Sequence, residues 1–127
     1  MNIQNDPVFR KKQAELLKRG MKIYLAGPMR GYPEFNFPAF HAYAKTLRDQ
    51  GYEVFSPAEK GMEKEVGAQY ETLSFRRAVF LLDTDYICRE AEAVALMPGW
   101  DKSSGARAEK ALAEAIGLKI MYLEDSA

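Results

Sequence analysis

Four short runs rich in apolar residues recur along the chain, separated by longer segments. They cover residues 23–26, 53–55, 93–97 and 119–123, and the first three end at a turn that contains proline. Short apolar runs bounded by turn residues are typical of strands that are buried on both faces of a parallel sheet. The pattern therefore predicts four β-strands.

The segments between these runs have the periodicity of amphipathic helices. Apolar residues recur at helical spacing over 37–50, which Gly51 ends, over 75–91, and over the alanine-rich stretch 104–116, which Gly117 ends. Strands that alternate with helices form mostly parallel sheets with helices on both faces. The sequence predicts an α/β fold, a single-domain flavodoxin-like or Rossmann-like three-layer sandwich with a mostly parallel sheet of four to five strands.

Two regions of different character are predicted. Residues 21–127 form one domain, and their number is sufficient for a single hydrophobic core. Residues 1–20 form an N-terminal helical extension, in which Pro7 follows Asp6 as in a first helical turn and Gly20 ends the helix. Such a helix would dock on the domain or on a second subunit, and an unstructured leader is the alternative.

The charge balance argues against one class of partner. The 127 residues carry 18 basic and 18 acidic side chains, so the chain has no net positive charge to attract DNA or RNA. The single cysteine, Cys88, cannot form an internal disulfide, and the sequence shows neither a membrane span nor a signal peptide. We expect a cytoplasmic protein without nucleic-acid or membrane partners, in which Cys88 is a buried helix residue.

The loops that follow the strands are the expected ligand site, because ligands of such sheets bind beyond the carboxyl ends of the strands. Three loops lie there, at 27–36, 56–72 and 98–104. The first places Arg30 between Gly27 and Gly31, which suits close approach of backbone and a fixed cation to an anionic group. A Gly-Pro turn with an exposed arginine is also common without any function.

The third loop leads into the last helix and carries a carboxylate. Ser103 or Ser104 can cap this helix, and the free amide of Gly105 then lies at its positive end, where an anion is favoured. Glu109 falls in the first turns, where we expect the helix dipole to favour the ionised form that a nucleophile requires. A glutamate at this position is also common merely because it suits the dipole.

Two further carboxylates lie late in the preceding helix, at Asp83 and Asp85. An acidic group near a helix C-terminus is electrostatically unfavourable. A residue that breaks such a rule indicates a function, whereas two aspartates on a solvated helix face are the alternative.

Three patches taken together resemble the nucleoside 2-deoxyribosyltransferase superfamily. Residues 24–31, Tyr-Leu-Ala-Gly-Pro-Met-Arg-Gly, are similar to the strand-one segment Tyr-x-x-Gly-x-x-Arg-Gly of that family. Residues 103–109 match Ser-x-Gly-x-x-x-Glu, and Asp85 is placed like the family's helical aspartate, 24 residues before Glu109. The resemblance is strongest to the nucleoside 5′-monophosphate N-glycosidase branch and its small phage and bacterial members of unassigned function.

The resemblance implies hydrolysis of the N-glycosidic bond of a (deoxy)nucleoside 5′-monophosphate through a glycosyl ester on Glu109. It gives Asp85 the role of protonating or hydrogen-bonding the departing base, and it places Tyr24 beside the sugar or Glu109. Tyr32 and Trp100 are expected base contacts, no cofactor or metal is expected, and a homodimer or larger homo-oligomer is implied. The expected 5′-phosphate contacts are Gly27, Met29, Arg30, Gly31, Ser103 and Gly105.

Details of the match bear on the substrate and leave alternatives open. In the family that the sequence resembles, transferases that act on free nucleosides tend to have an aspartate at the position of Ser103. An aspartate would repel a 5′-phosphate, so the serine favours a nucleotide as the substrate. Ala93 stands where the family often carries an aspartate, and Pro28 and Met29 replace Ser-Ile of the eukaryotic N-glycosidases. The alternatives are a nucleoside deoxyribosyltransferase and a non-catalytic nucleotide-binding or sensing protein.

Overall fold

The structure, a computed structural model, describes residues 6–8, 20–60 and 72–125. The strands and helices lie where the hydrophobic pattern predicts them, within two residues at each boundary. The strands are β1 (Lys22–Ala26), β2 (Glu53–Phe55), β3 (Ala93–Leu96) and β4 (Lys119–Tyr122). The helices of more than one turn are α1 (Phe37–Asp49), α2 (Leu73–Arg89) and α3 (Ser104–Ile116).

The four strands form one parallel sheet in the order β2-β1-β3-β4. Tyr24 in β1 pairs with Phe55 of β2 on one side and with Val94 of β3 on the other. The chain proceeds from β1 toward one edge of the sheet and from β3 toward the other, so the strand order reverses between these two strands. The crevice at such a reversal is the usual ligand site of an open parallel sheet.

Successive side chains of each strand enter two different apolar layers. Leu25 of β1 packs in the layer that contains Phe40 of α1. Tyr24 packs in the opposite layer with Ile87 of α2 and Ala106 of α3. Because both faces of the sheet are covered, the strands consist of continuous apolar residues, and the predicted three-layer α/β sandwich is confirmed.

The helices run antiparallel to the strands, since each leads from the carboxyl end of one parallel strand back to the amino end of the next. The amino ends of α2 and α3 therefore lie at the carboxyl edge of the sheet. The two helices cover the same face and contact each other. Their positive ends thus lie beside the crevice between β1 and β3.

The start of α3 shows which of the two serines is the cap. The hydroxyl oxygen of Ser103 accepts a hydrogen bond from the amide of Ala106 at 3.2 Å, and Ser104 is the first helical residue. Gly117 ends α3 with a φ of 88°, a conformation that residues with a Cβ rarely adopt. The amides of Ser104 and Gly105 therefore lie in the first turn, at the positive end of the helix.

Parts of two predictions lie outside the described residues. Of the extension 1–20, only residues 6–8 and Gly20 are described; residues 7 and 8 are helical, and the amide of Val8 donates to the carboxylate of Asp6 at 2.8 Å. The predicted loop 56–72 is described only at its two ends, residues 56–60 and residue 72. Residues 57–59, at the first end, form a short 3₁₀ turn.

The outer side of α2 exposes apolar side chains, among them Leu81, beside the ion pair of Asp85 and Arg89. Cys88 lies on that side, so the prediction of a buried cysteine is wrong. It follows the fully buried Ile87 by one residue, which turns it about 100° round the helix. No helix among the described residues is long and apolar enough to cross a membrane.

Candidate active site

A cavity of about 920 Å³ opens at the carboxyl edge of the sheet, where β1 and β3 end. Its walls are the loop after β1, the inner side of α2 and the first two turns of α3. A volume of this size is in the usual range for pockets that hold small organic ligands. The cavity lies at the reversal of strand order, so it is the expected ligand site of this fold.

Three buried polar side chains meet at the floor of the cavity. The hydroxyl of Tyr24 donates a hydrogen bond to Oε2 of Glu109 at 2.6 Å. Asp83 of α2 also interacts with the Tyr24 hydroxyl, and its charge acts on Glu109. Both carboxyl groups belong to residues that are only 6% exposed, and both line the cavity. Among residues 6–8, 20–60 and 72–125, neither carboxyl group forms an ion pair with a basic side chain, and buried acids of this kind in a cleft indicate a functional site.

The electrostatic environment of Glu109 differs from the predicted one. Glu109 is six residues beyond the cap Ser103 and thus lies in the second turn of α3, where the effect of the helix dipole has faded. Burial raises its pKa to about 8; the hydrogen bond from Tyr24 opposes this shift and the charge of Asp83 adds to it. The prediction of a carboxylate kept ionised by the helix is wrong, because desolvation outweighs the dipole.

The other two members of the cluster are shifted for the same reason. Burial raises the pKa of Asp83 to about 7, and the hydrogen bond with Tyr24 partly offsets the shift. Burial and the charges of Glu109 and Asp83 raise the pKa of Tyr24 well above its usual value, so Tyr24 stays a hydrogen-bond donor. The charge of Asp83 acts on Glu109, so the two carboxyl groups are coupled and titrate as a pair.

The structure places Asp83, and not Asp85, at this site. Asp85 is exposed, and its Oδ1 accepts a hydrogen bond from Nε of Arg89 at 2.6 Å. Two residues along an α-helix are turned by about 200°, so the two aspartates point to opposite sides of α2. Asp83 lies four residues before the buried Ile87 and shares its inner stripe. The assignment of the helical carboxylate to Asp85 is therefore corrected to Asp83.

An aromatic stack holds the ring of Tyr24 in place. The rings of Tyr24 and Phe55 stack with centroids 5.5 Å apart, and Phe55 stacks in turn on Tyr86 of α2 at 4.4 Å. The ammonium of Lys60 lies 4.4 Å from the centre of the Phe55 ring. Since such contacts fix ring orientation, the hydroxyl of Tyr24 is aimed at the carboxyl groups by residues of β2 and α2.

Two glycines allow the loops after β1 and β3 to pack directly on each other. A Cβ on Gly27 would lie 2.8 Å from Sδ and 2.9 Å from Cβ of Met97. A Cβ on Gly99, whose φ is 89°, would lie 2.8 Å from the hydroxyl oxygen of Tyr32. The close approach of the two loops determines the shape of the cavity wall, and neither position has space for a side chain.

A left-handed turn connects the β1 loop to α1. Glu34, Phe35 and Asn36 all have positive φ, at 54°, 54° and 63°. This conformation costs about 1 kcal/mol or more per residue when a Cβ is present. The side-chain amide of Asn36 donates to the carbonyl of Pro28 at 2.9 Å, so the strained turn is tied to the loop that lines the cavity.

Most of the predicted phosphate contacts lie together at the cavity. Five of the six residues line it: Gly27, Met29, Arg30, Ser103 and Gly105. The sixth, Gly31, does not line it. Its φ of 83° serves the turn in which the amide of Tyr32 donates to the carbonyl of Met29 at 3.2 Å. Gly31 therefore shapes the loop from outside the cavity.

The two predicted base contacts lie in different places. Tyr32 lines the cavity and is 43% exposed. Trp100 does not line it, because the short turn Trp100–Lys102 directs the ring toward β4, where its centroid is 6.0 Å from that of Tyr122. The ammonium of Lys110 lies 5.5 Å from the centre of the Trp100 ring. Trp100 is therefore a packing residue, and its assignment as a base contact is corrected.

The extent of the fold agrees with the comparison to protein families. Residues 21–122 match the family described as "Domain of unknown function (DUF4406)". The chain belongs to the DUF4406 family. The match runs from β1 to β4 and includes the whole cavity lining. No curated protein sequence matches this chain.

The DUF4406 domain also places at the cavity several basic residues that were not predicted from the sequence: Arg76, Arg77 and Lys102. Arg76 and Arg77 lie in the first two turns of α2, and Lys102 precedes α3. One signal was present: Arg76 lies seven residues before Asp83, a spacing that places two side chains on one helix face. That signal becomes readable only when the inner side of α2 is known.

No group of three His, Cys, Asp or Glu side chains in the described part of the DUF4406 domain is arranged to hold a metal ion. The chemistry at the floor of the cavity is that of Tyr24, Asp83 and Glu109. These groups supply one fixed hydrogen-bond donor and two coupled carboxyl groups, which can act as an acid, a base and a nucleophile.

Proposed function

We propose that this protein cleaves the N-glycosidic bond of a (deoxy)nucleoside 5′-monophosphate, with Glu109 as the nucleophile and Asp83 as the acid. The observation that carries the proposal is the buried cluster of Tyr24, Asp83 and Glu109 at the floor of the cavity. Two coupled carboxyl groups that face one ligand fit the chemistry of glycosidic bonds, in which one group attacks the sugar and the other transfers a proton.

In the first step, a carboxylate oxygen of Glu109 forms a bond to C1′ while the bond from C1′ to the base breaks. The electron pair of that bond leaves with the base, which takes the proton of Asp83. Burial leaves Glu109 the weaker acid of the pair, with a pKa of about 8 against about 7 for Asp83, whereas the reactive form has its proton on Asp83 and not on Glu109. The positive charge that develops near C1′ favours this form, because it stabilises the ionised Glu109. The hydrogen bond from Tyr24 holds the carboxylate in position during the attack.

In the second step, water resolves the glycosyl ester. Asp83, now ionised, takes a proton from water as the water oxygen bonds to C1′ and the bond to Glu109 breaks. The reverse use of one group as acid and then as base is usual for retaining glycosidases. The products are the free base and the sugar 5-phosphate.

The residues at the mouth of the cavity support a phosphate on the sugar. Arg30 lines the β1 side, and the amide of Gly105 lies in the first turn of α3. The oxygen of Ser103 accepts from the amide of Ala106, which leaves the hydroxyl proton for a second acceptor. A helix N-terminus with a hydroxyl and a nearby guanidinium is a common form of phosphate site.

Release of free base tests the proposal directly. The purified protein is incubated with ribo- and deoxyribonucleoside 5′-monophosphates and with the matching nucleosides, and free base is measured by chromatography. We expect release from one or more monophosphates, lowered by about a thousandfold or more in Glu109→Gln because the nucleophile is lost. The matched control is Glu114→Gln, since Glu114 is exposed on the same helix and pairs only with Lys110 among the described residues.

Other outcomes would overturn hydrolysis of a monophosphate. Release of base only when an acceptor base is present would make the protein a deoxyribosyltransferase. Binding of a monophosphate without release of any base would make it a nucleotide-binding protein. Release from nucleosides alone would contradict the role given to Ser103 and Arg30.

We further propose that α2 packs against a second copy of the chain. Four large apolar side chains of α2 are exposed: Leu73 (60%), Phe80 (39%), Leu81 (71%) and Leu82 (38%). Large apolar side chains exposed together on one helix are unfavourable for an isolated domain and are typical of a surface that a partner covers. Phe80 and Leu81 also line the cavity, so a second copy on α2 would cover the open side of the site.

A further inference from the structure

The mouth of the cavity carries more positive charge than one phosphate group requires. We infer that the preferred substrate is a nucleoside 5′-diphosphate or a longer 5′-polyphosphate, with the outer phosphate held by Arg77 and Lys102. Because this inference rests on the proposed function, it extends that function from one 5′-phosphate to two or more.

Arg77 lines the cavity from α2, and Lys102 lines it from the turn before α3. Both side chains are exposed. In the described part of the chain, neither side chain has an ion pair or a hydrogen bond to another residue. Two cations directed to one cavity without acidic partners indicate an anionic ligand.

The positions along the helices place these cations above the reacting groups. Arg77 precedes Asp83 by six residues on α2. Lys102 directly precedes Ser103, and Ser103 precedes Glu109 by six residues at the start of α3. At a rise of 1.5 Å per residue, each pair is separated by about 9 Å along its helix axis. The carboxyl groups thus lie at the floor, and the phosphate ligands lie at the mouth on both helices.

In the proposed function, the phosphate on the sugar is bound without Arg77. Arg30, the hydroxyl of Ser103 and the amide of Gly105 belong to the β1 loop and to α3. Arg77 belongs to α2, a different wall of the cavity, and Lys102 lies just before the α3 cap. A phosphate chain that starts at Ser103 and extends toward the solvent would therefore pass between Lys102 and Arg77.

The backbone adds to this field. The amino ends of α2 and α3 both lie at the carboxyl edge of the sheet, so the positive ends of two helix dipoles lie beside the mouth. The cavity volume of about 920 Å³ is near the upper end of the range for small-ligand pockets, which leaves room for more than one phosphate.

Titration calorimetry with the Glu109→Gln variant tests the inference, because loss of the proposed nucleophile should leave substrate binding without turnover. The probes are the 2′-deoxynucleoside 5′-mono-, di- and triphosphates of adenine, guanine, cytosine and thymine, together with inorganic pyrophosphate. For at least one base we expect the diphosphate or triphosphate to bind roughly tenfold or more tightly than the monophosphate, as expected of charge-assisted hydrogen bonds. Pyrophosphate alone should bind more weakly than the nucleotide.

The second variant locates the effect. Arg77→Ala in the Glu109→Gln background should reduce the preference for the longer phosphate chain to less than about threefold, and Arg77→Lys should keep part of it. Lys119→Ala is the matched control, since Lys119 is an exposed cation on β4 outside the cavity. It should leave the preference unchanged.

The outcomes separate the two proposals. Equal or tighter binding of the monophosphate, or a preference that Arg77→Ala does not reduce, would overturn the inference while base release could still support the glycosidase. A preference that depends on Arg77 in a protein that releases no base would support the inference and overturn the glycosidase. Pyrophosphate binding as tightly as the nucleotides would also overturn the inference, because the site would then not recognise a nucleoside.

Discussion

Two aspartates separated by one residue on α2 have opposite environments. Asp83 is buried beside Tyr24 and Glu109, whereas Asp85 is exposed in an ion pair with Arg89. The two side chains are chemically identical, so their environments differ only because they point to different sides of the helix. A functional difference between the two residues therefore tests the site more sharply than loss of any single group.

Substitution of each aspartate by asparagine makes this comparison. Asp83→Asn should lower kcat for base release by about 10²- to 10⁴-fold, because the acid for the departing base is lost. Asp85→Asn should stay within about twofold of the wild type, since an exposed ion pair contributes little. Initial rates of base release measure both, and equal losses in the two variants would contradict the site.

The buried carboxyl groups also predict how stability depends on pH. Burial raises the pKa of Glu109 to about 8 and that of Asp83 to about 7, so the folded state binds more protons than the unfolded state from about pH 5 to 8. The stability that these two acids contribute is therefore fully present below their pKa values in the unfolded state. It is lost as the pH rises through their pKa values in the folded state. The slope is at most about 1.4 kcal/mol per pH unit for each extra proton.

Urea denaturation at several pH values measures this slope. Glu109→Gln should reduce the loss of stability between pH 5 and 8, because the glutamine has no proton to release. Some slope should remain through Asp83, and Glu114→Gln on the exposed side of α3 should keep the full slope. A wild-type stability that rises over this range would contradict the burial of the two acids.

At the scale of elements, the site depends on how two loops meet. Gly27 follows β1 and packs on Met97, which follows β3. Gly99 packs on the hydroxyl of Tyr32, and Asn36 binds the carbonyl of Pro28. The two glycine contacts join the loops of neighbouring parallel strands, and the Asn36 hydrogen bond fixes the β1 loop internally, so the cavity wall depends on how the two loops pack.

Gly27→Ala should lower the free energy of unfolding by about 1–3 kcal/mol, because the new Cβ overlaps the side chain of Met97. Gly105→Ala is the matched control. The nearest atom to a Cβ at Gly105 is 4.0 Å away, in Ser103, so this variant should be as stable as the wild type or more stable. Urea denaturation compares them, and equal destabilisation of both would contradict the close loop contact.

At the scale of the whole molecule, the main open question is the exposed apolar surface of α2. Leu81 is 71% exposed and also lines the cavity, so the proposed interface would be continuous with the candidate site. Apolar exposure of this extent on a helix that lines a site is unfavourable for an isolated domain. The proposed second copy removes this surface from water.

Leu81→Glu should weaken self-association by about tenfold or more, because a charge would have to be buried in an apolar contact. The matched control is Ala42→Glu, since Ala42 is exposed on α1 at the opposite layer of the sandwich. Sedimentation velocity over a range of concentrations measures the association. A wild-type protein that stays monomeric at high concentration would overturn the proposed interface.

The hydrophobic pattern alone determined the α/β alternation, the strand and helix positions and the edge of the sheet that carries the site. It could do so because both faces of a parallel sheet are buried and each strand is then apolar throughout. The motifs also brought Tyr24, Arg30, Ser103 and Glu109 together, since residues at the carboxyl ends of neighbouring strands converge in space.

Only the tertiary structure decided the rest. The choice between Asp83 and Asp85 required the rotation of α2, because apolar and charged residues alternate round this helix and its periodicity does not reveal the inner face. The place of Trp100 depended on the turn before α3, and the raised pKa of Glu109 depended on burial among residues distant in sequence. Helical phase, loop direction and desolvation are set by contacts between elements, and a linear pattern of residues does not contain those contacts.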